Sequence, residues 1–131
     1  MESHNAGILL LGSEPERARN EAIRQGIGPA AVDTGANNSL HDFAGLIGQC
    51  DLVVTSDTLG MHLAIGLKRR VVALFGSTCH QEIDLFGRGV KVVTDFECSP
   101  CYLQTCPLKV TCMDDLSAVR VYAACLEALR I

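Results

Sequence analysis

The residues best placed for chemistry are Asp57 and Thr58, in the stretch Cys50-Asp-Leu-Val-Val-Thr-Ser-Asp-Thr-Leu-Gly-Met-His62. A short apolar run, Leu52 to Val54, stops at four oxygen-bearing side chains, Thr55, Ser56, Asp57 and Thr58. A helical pattern then continues through Met61, Leu63, Ala64, Ile65 and Leu67. The first N–H groups of a helix have no partners within it and lie at the positive end of its dipole, so such a turn can hold a phosphate without a lysine. His62 lies one turn along the same helix. A second polar loop, Gly76-Ser77-Thr78, closes the apolar run Val71-Val-Ala-Leu-Phe75, and Glu14 stands in a third, Gly12-Ser-Glu-Pro-Glu16. Each of these residues also has an ordinary structural use. Asp57 and Thr58 suit helix N-caps, and His62 suits the rim of an apolar helix. Glu14 favours a helix start by its charge, and Ser77 and Thr78 are turn formers.

A second chemistry is written in the cysteines. Of seven in the chain, four follow the pattern Cys98-x2-Cys101-x4-Cys106-x5-Cys112. Cys-x-x-Cys lets two sulfurs converge on one ion and two later thiols can close a tetrahedron, so a structural zinc is the first expectation. One or two disulfides, reduced thiols and an iron–sulfur cluster are the alternatives, with the disulfides disfavoured by a reducing interior. A thioredoxin-like dithiol ranks lower, since Cys98 and Cys101 do not open a helix after a first strand. Cys50, Cys79 and Cys125 lack partners at ligand spacing and read as small apolar side chains or free thiols.

These residues must be positioned by alternating strands and helices. Buried strands are expected at Ala6–Leu11 and over 30–33, 52–54, 71–75 and 90–94. Helices are expected from Pro15 to about Gln25, after Ser39 through Ile47, from Thr58 to Leu67, and at the end of the chain. In the last helix, Leu116, Val119, Ala123, Leu126 and Leu129 fall on one face. The economical fold is a three-layer α/β/α Rossmann-like domain over residues 6–131 with a parallel sheet, in which the strands at Leu52 and Val71 are neighbours. Residues 1–5 read as a disordered start or a cloning remnant. The chain of 131 residues, 48% hydrophobic, suits one core.

Composition excludes several functions. Eleven basic against fifteen acidic residues give a net charge of −4, with no basic block and no tryptophan, so nucleic acid is not the expected partner. No apolar run reaches the ~18 residues of a membrane span and no signal peptide opens the chain, so a cytoplasmic protein is expected. There is no Gly-x-Gly-x-x-Gly, Gly-x-x-x-x-Gly-Lys-Ser/Thr or Gly-x-Ser-x-Gly, which removes NAD and flavin folds of the usual kind, P-loops and serine hydrolases.

Asp57-Thr-Leu-Gly-Met-His62 followed by Val71-Val-Ala-Leu-Phe-Gly-Ser-Thr78 resembles the carboxyl-terminal, donor-binding half of the heptosyltransferases, glycosyltransferase family nine. Gly12-Ser-Glu14, Cys50-Asp51 and the cysteine loop with Cys112-Met113 extend the likeness from Ile8 onward. The resemblance implies one half of a GT-B enzyme, an inverting transferase that takes heptose from ADP-heptose in lipopolysaccharide core synthesis. By the same likeness Asp57 bonds hydroxyls of the donor sugar, while Thr58 and the N–H groups of Leu59 and Gly60 hold the diphosphate. His62 faces the same pocket, Glu14 approaches the nucleoside, and Ser77 and Thr78 form a second polar wall. The family pattern has Gly where Leu59 stands here. The missing amino-terminal half would supply the base and the acceptor groove, so the chain alone is expected to bind without transferring. The alternative is a non-catalytic sugar-nucleotide-binding or zinc-stabilised interaction module.

Overall fold

The computed structural model describes residues 4–131, so residues 1–3 of the polar start lie outside the described residues. The chain divides into two compact units, Met1–Gly45 and Leu46–Ile131.

In the first unit, β1 (Ile8–Leu10) pairs in parallel with β2 (Ala31–Asp33), in the register Ile8↔Ala31 and Leu10↔Asp33. A 3-10 turn at Glu14–Glu16 and helix α1 (Arg17–Ile27) connect them. Pro15 sits inside the 3-10 turn, where its missing N–H costs nothing. The helix was expected to end before Gly26 but continues to Ile27. The glycine with the left-handed backbone is Gly28, at φ 86°, and it terminates α1 through its N–H to the Arg24 carbonyl at 2.8 Å. Asn20 is buried and its amide donates to the Leu11 carbonyl at 3.2 Å, tying α1 to the end of β1. The expectation of a buried first strand fails within this unit. Ile8 and Leu9 are each 38% exposed, because a two-stranded sheet with one helix cannot cover both faces of its strands.

Helix α2 (Leu40–Gln49) spans the division between the units. Ser39 starts it by a reciprocal cap: its hydroxyl accepts from the Asp42 N–H at 3.1 Å, and its own N–H donates to the Asp42 carboxylate at 3.2 Å.

The second unit is built on three parallel strands in the order β3 (Leu52–Ser56), β4 (Arg70–Phe75), β5 (Gly89–Val93). Val53 pairs with Val71 and Val71 with Gly89, so the strands at Leu52 and Val71 are neighbours as expected. Central β4 carries the most deeply buried run, Val71 to Ala73 and Phe75. Strand alternation divides these side chains between two faces. Val72 and Leu74 pack with Leu52, Val90 and Val92 against α5 (Ala118–Arg130), next to the short helix α4 (Cys112–Asp115). Val71, Ala73 and Phe75 point the other way, and α3 (Leu59–Gly66), with Met61 and Ala64 fully buried, packs on β3 and β4. The outcome is the expected α/β architecture with a parallel sheet between helices.

Two corrections concern faces. Val54 was expected to be buried on a doubly covered strand, yet it is 47% exposed, because β3 is an edge strand of its sheet. The last helix turns a different side inward than expected. Val121, Ala124, Cys125 and Ala128 meet the sheet, while Val119 is 78% and Leu129 45% exposed. Small Ala124 and Ala128 let the helix approach β4 and β5 closely, and this close approach, not the largest apolar residues, sets its rotation.

Candidate functional site

The polar turns after β3 and β4 form one site edge. Ser56 pairs with Leu74 in parallel register, so Asp57-Thr58 and Gly76-Ser77-Thr78 leave the sheet side by side at its carboxyl end. In open parallel sheets that edge is where ligands bind.

Thr58 is the N-cap residue of α3, with extended backbone at φ −142° and ψ 175°, and its carbonyl accepts from the N–H groups of Met61 and His62. Its side chain makes no cap. The hydroxyl lies 3.1 Å from the Thr55 hydroxyl and 3.4 Å from the Ser56 carbonyl instead. The ordinary use offered for Thr58, a side-chain N-cap, is therefore not the one its hydroxyl takes: the threonine hydroxyls satisfy each other and the strand end. The first turn of α3, at Leu59 and Gly60, is left without a capping side chain, and Leu59 itself is 57% exposed. An uncapped helix start of this kind retains donors for an anion.

Asp57 and His62 are brought together. Asp57 Oδ1 lies 3.7 Å from His62 Nε2, with the imidazole largely exposed and the carboxylate mostly covered. Half-buried Ser77 and Thr78 stand on the neighbouring loop, whose Ser77 carbonyl accepts from the Tyr102 N–H at 2.9 Å. Glu14 belongs to the first unit, and its carboxylate is held by Arg17 in a fork at 2.8 to 3.1 Å, which lowers its pKa. An open hollow of about 560 Å³ lined by Gln81, Glu82, Asp84 and Lys91 contains none of the candidate residues.

A cluster that sequence reasoning missed closes the same sheet edge behind β5. Buried Thr94 donates its hydroxyl to Asp115 Oδ2 at 2.9 Å, and the Asp95 N–H donates to the same oxygen at 2.9 Å. Arg120 adds a contact to Asp115 at 3.1 Å and donates to the Val93 carbonyl at 2.7 Å. The Asp95 N–H, the Thr94 hydroxyl and Arg120 together hold the Asp115 carboxyl below its ordinary value. Partners 20 or more residues apart leave no spacing signal in the sequence.

The cysteine loop packs against the β4 turn. The Ser99 hydroxyl donates to the Gly76 carbonyl, the Cys79 N–H donates to the Tyr102 hydroxyl at 3.0 Å, and Cys112 and Met113 lie over the hydrogen face of Gly76. All seven cysteines are free. Burial first, then the charges of Cys101, Cys106 and Cys98, push the Cys112 thiol up. Burial likewise raises Cys50 and Cys125. Among the described residues, no group of three or more His, Cys, Asp or Glu is arranged to hold a metal ion. No helix of the described residues is long and apolar enough to cross a membrane.

The edge thus combines uncapped helical N–H groups, a carboxylate–imidazole pair and neutral hydroxyls, a set suited to an anion joined to a polyhydroxylated group. Glycosyltransferase family 9 (heptosyltransferase) matches residues 1–111. A lipooligosaccharide heptosyltransferase 2 of Campylobacter jejuni serotype O:2 is 40% identical over 75 residues, 55% of this chain and 24% of the relative. The protein of the same name from Haemophilus influenzae is 32% identical over 78 residues, 56% of this chain and 22% of the relative. The matched stretch thus spans less than a quarter of the length of these curated relatives. No solved structure matches the chain. The chain belongs to glycosyltransferase family 9, the heptosyltransferases.

Proposed function

We propose that this chain is the donor-binding half of an inverting heptosyltransferase of lipopolysaccharide or lipooligosaccharide core synthesis, acting in the cytoplasm on a nucleoside-diphosphate heptose, with ADP-heptose as the first candidate. The observation that carries this reading is the uncapped start of α3 at the carboxyl edge of β3, flanked by Asp57 and by the β4 loop. The diphosphate lies against the N–H groups of Leu59 and Gly60 and the Thr58 hydroxyl, where the helix dipole favours its charge. Asp57 accepts from sugar hydroxyls while His62 braces it, and Ser77 and Thr78 close the opposite wall.

Transfer itself needs a base aimed at an acceptor hydroxyl and a groove to orient that acceptor. In this proposal both come from the amino-terminal domain of the GT-B partner half, so the isolated 131-residue chain binds donor and does not turn it over. Calorimetric titration with ADP, UDP, GDP and ADP-heptose tests the reading. Saturable binding of ADP-heptose, tighter than ADP alone, supports it. Equal indifference to all four removes it and leaves the alternative of a non-catalytic module.

A further inference from the structure

Tyr102 holds the loop after β4 from both sides of Thr78. Its backbone N–H donates to the Ser77 carbonyl at 2.9 Å, and its phenolic oxygen accepts from the Cys79 N–H at 3.0 Å. The Ser77 carbonyl belongs to the peptide unit before Thr78 and the Cys79 N–H to the unit after it, so one residue fixes both planes that carry the Thr78 side chain. The Ser99 hydroxyl extends the grip by one unit, donating to the Gly76 carbonyl. Core building does not account for this arrangement. Tyr102 is 59% exposed, and its backbone is left-handed at φ 54°, a conformation that a bulky residue keeps only where its surroundings hold it. Loop closure does not account for it either, since the Thr94 hydroxyl on Asp115 already ties the base of the connection. The hydroxyls of Ser77 and Thr78, in contrast, take no hydrogen bond among the described residues. The loop is held by its backbone, and its hydroxyls are left for another partner.

We propose that Tyr102 is a positioning residue of the donor site, fixing the backbone from which Ser77 and Thr78 offer their hydroxyls to a nucleoside-diphosphate sugar. The inference rests on the proposed donor site at the start of α3. A hydroxyl on a swinging loop gives up backbone freedom each time it meets a ligand, and a loop fixed beforehand has already lost that freedom on folding. Tyr102 itself touches no donor. It acts through the peptide units on either side of Thr78, and its phenolic hydroxyl is the part that serves the Cys79 side.

The test titrates the whole chain with ADP, as wild type, Tyr102→Phe and Leu103→Ala, by calorimetry and by backbone amide shifts. Tyr102→Phe deletes only the hydroxyl that accepts from Cys79 and keeps the ring and the backbone bond to Ser77. It should weaken ADP binding roughly 2- to 10-fold, the loss expected for one hydrogen bond. It should also shrink the ADP-induced shifts of Ser77 and Thr78 while those of Leu59 and Gly60 persist at saturation. The melting temperature without ligand should stay at the wild-type value, which a merely structural role would lower. Leu103→Ala, at an exposed neighbour in the same loop, should match wild type in every readout. Wild-type binding at Leu59 and Gly60, with equal affinity and equal Ser77 and Thr78 shifts in Tyr102→Phe, would overturn the role of Tyr102 and leave the donor site standing. A lowered melting temperature with unchanged affinity would do the same. No ADP binding by wild type would overturn the donor site, and this inference with it.

Discussion

Asp57 and His62 face each other across the first turn of α3, with Oδ1 and Nε2 3.7 Å apart, and neither side chain caps the helix between them. The carboxylate is thereby oriented beside a helix start whose own donors remain available. Under the proposed donor geometry, Asp57→Ala and Thr58→Ala should each weaken ADP-heptose binding by about 1–3 kcal/mol, the range for losing charge-assisted hydrogen bonds. His62→Ala should cost less, since it acts on the sugar through Asp57. Isothermal titration of the three variants, with folding verified by circular dichroism, checks the order. Unchanged affinity in both Asp57→Ala and Thr58→Ala would remove this turn as the site.

Gly76 and Gly89 are needed for space, Gly45 for nothing. A β-carbon at Gly89 would run into the Val71 carbonyl oxygen, a backbone atom of central β4, and one at Gly76 would meet Cys112 Sγ and Met113 Sδ at 2.8 Å. Gly89→Ala and Gly76→Ala should destabilise by about 1–3 kcal/mol through overpacking, with Gly89→Ala worse because backbone cannot swing aside. Gly45 lies inside α2 facing open space, so Gly45→Ala should stabilise by roughly 0.5–1 kcal/mol. Urea unfolding midpoints give all three signs.

The rotation of α5 predicts opposite outcomes for neighbouring residues. Ala128 is fully buried and Val119 is 78% exposed. Ala128→Leu should cost about 1–3 kcal/mol, whereas Val119→Ala should stay within roughly 0.5 kcal/mol of wild type. Thermal unfolding of the two variants distinguishes this packing from one with Val119 inward.

Acid should loosen the end of β5. The folded-state pKa of Asp115 is lowered by the Asp95 N–H, the Thr94 hydroxyl and Arg120, so the unfolded chain takes up its proton first as pH falls. The stabilisation is fully present above the ordinary aspartate value of about 3.9, and is lost progressively as pH drops below it through the folded value. Asp115→Asn should be less stable than wild type at pH ~7 and should lose less on going to pH ~3. Equal pH dependence in the two proteins, from urea unfolding at both pH values, would detach Asp115 from acid stability.

Much of this architecture is legible from local signals. The strand–turn–helix around Asp57 announces itself because a short apolar run meets four small polar residues and then an apolar helix. The Ser39 cap is legible for the same reason, as both partners lie within one turn. Long-range choices leave no such mark. Which side of α5 meets the sheet depends on how closely Ala124 and Ala128 approach β4 and β5, which the period of large residues misstates. The Thr94–Asp115–Arg120 cluster and the seating of Cys112 on Gly76 join residues from different elements, and their identities are ordinary surface and turn residues until the fold brings them together. Within the candidate site, the proximity of the Asp57 and Ser77 turns follows from the parallel pairing of β3 and β4. That Thr58 does not cap its own helix could not be read beforehand, because its hydroxyl pairs instead with that of Thr55, three residues back in β3.

The account rests most heavily on the diphosphate lying at the start of α3, and backbone amide shifts during titration with ADP report on that contact directly. The N–H resonances of Leu59 and Gly60 should move the most, saturably and with one common affinity, and those of Ser77 and Thr78 should follow. Saturable binding that perturbs other amides, such as those around the hollow between Gln81 and Lys91, and leaves Leu59 and Gly60 unmoved would contradict it.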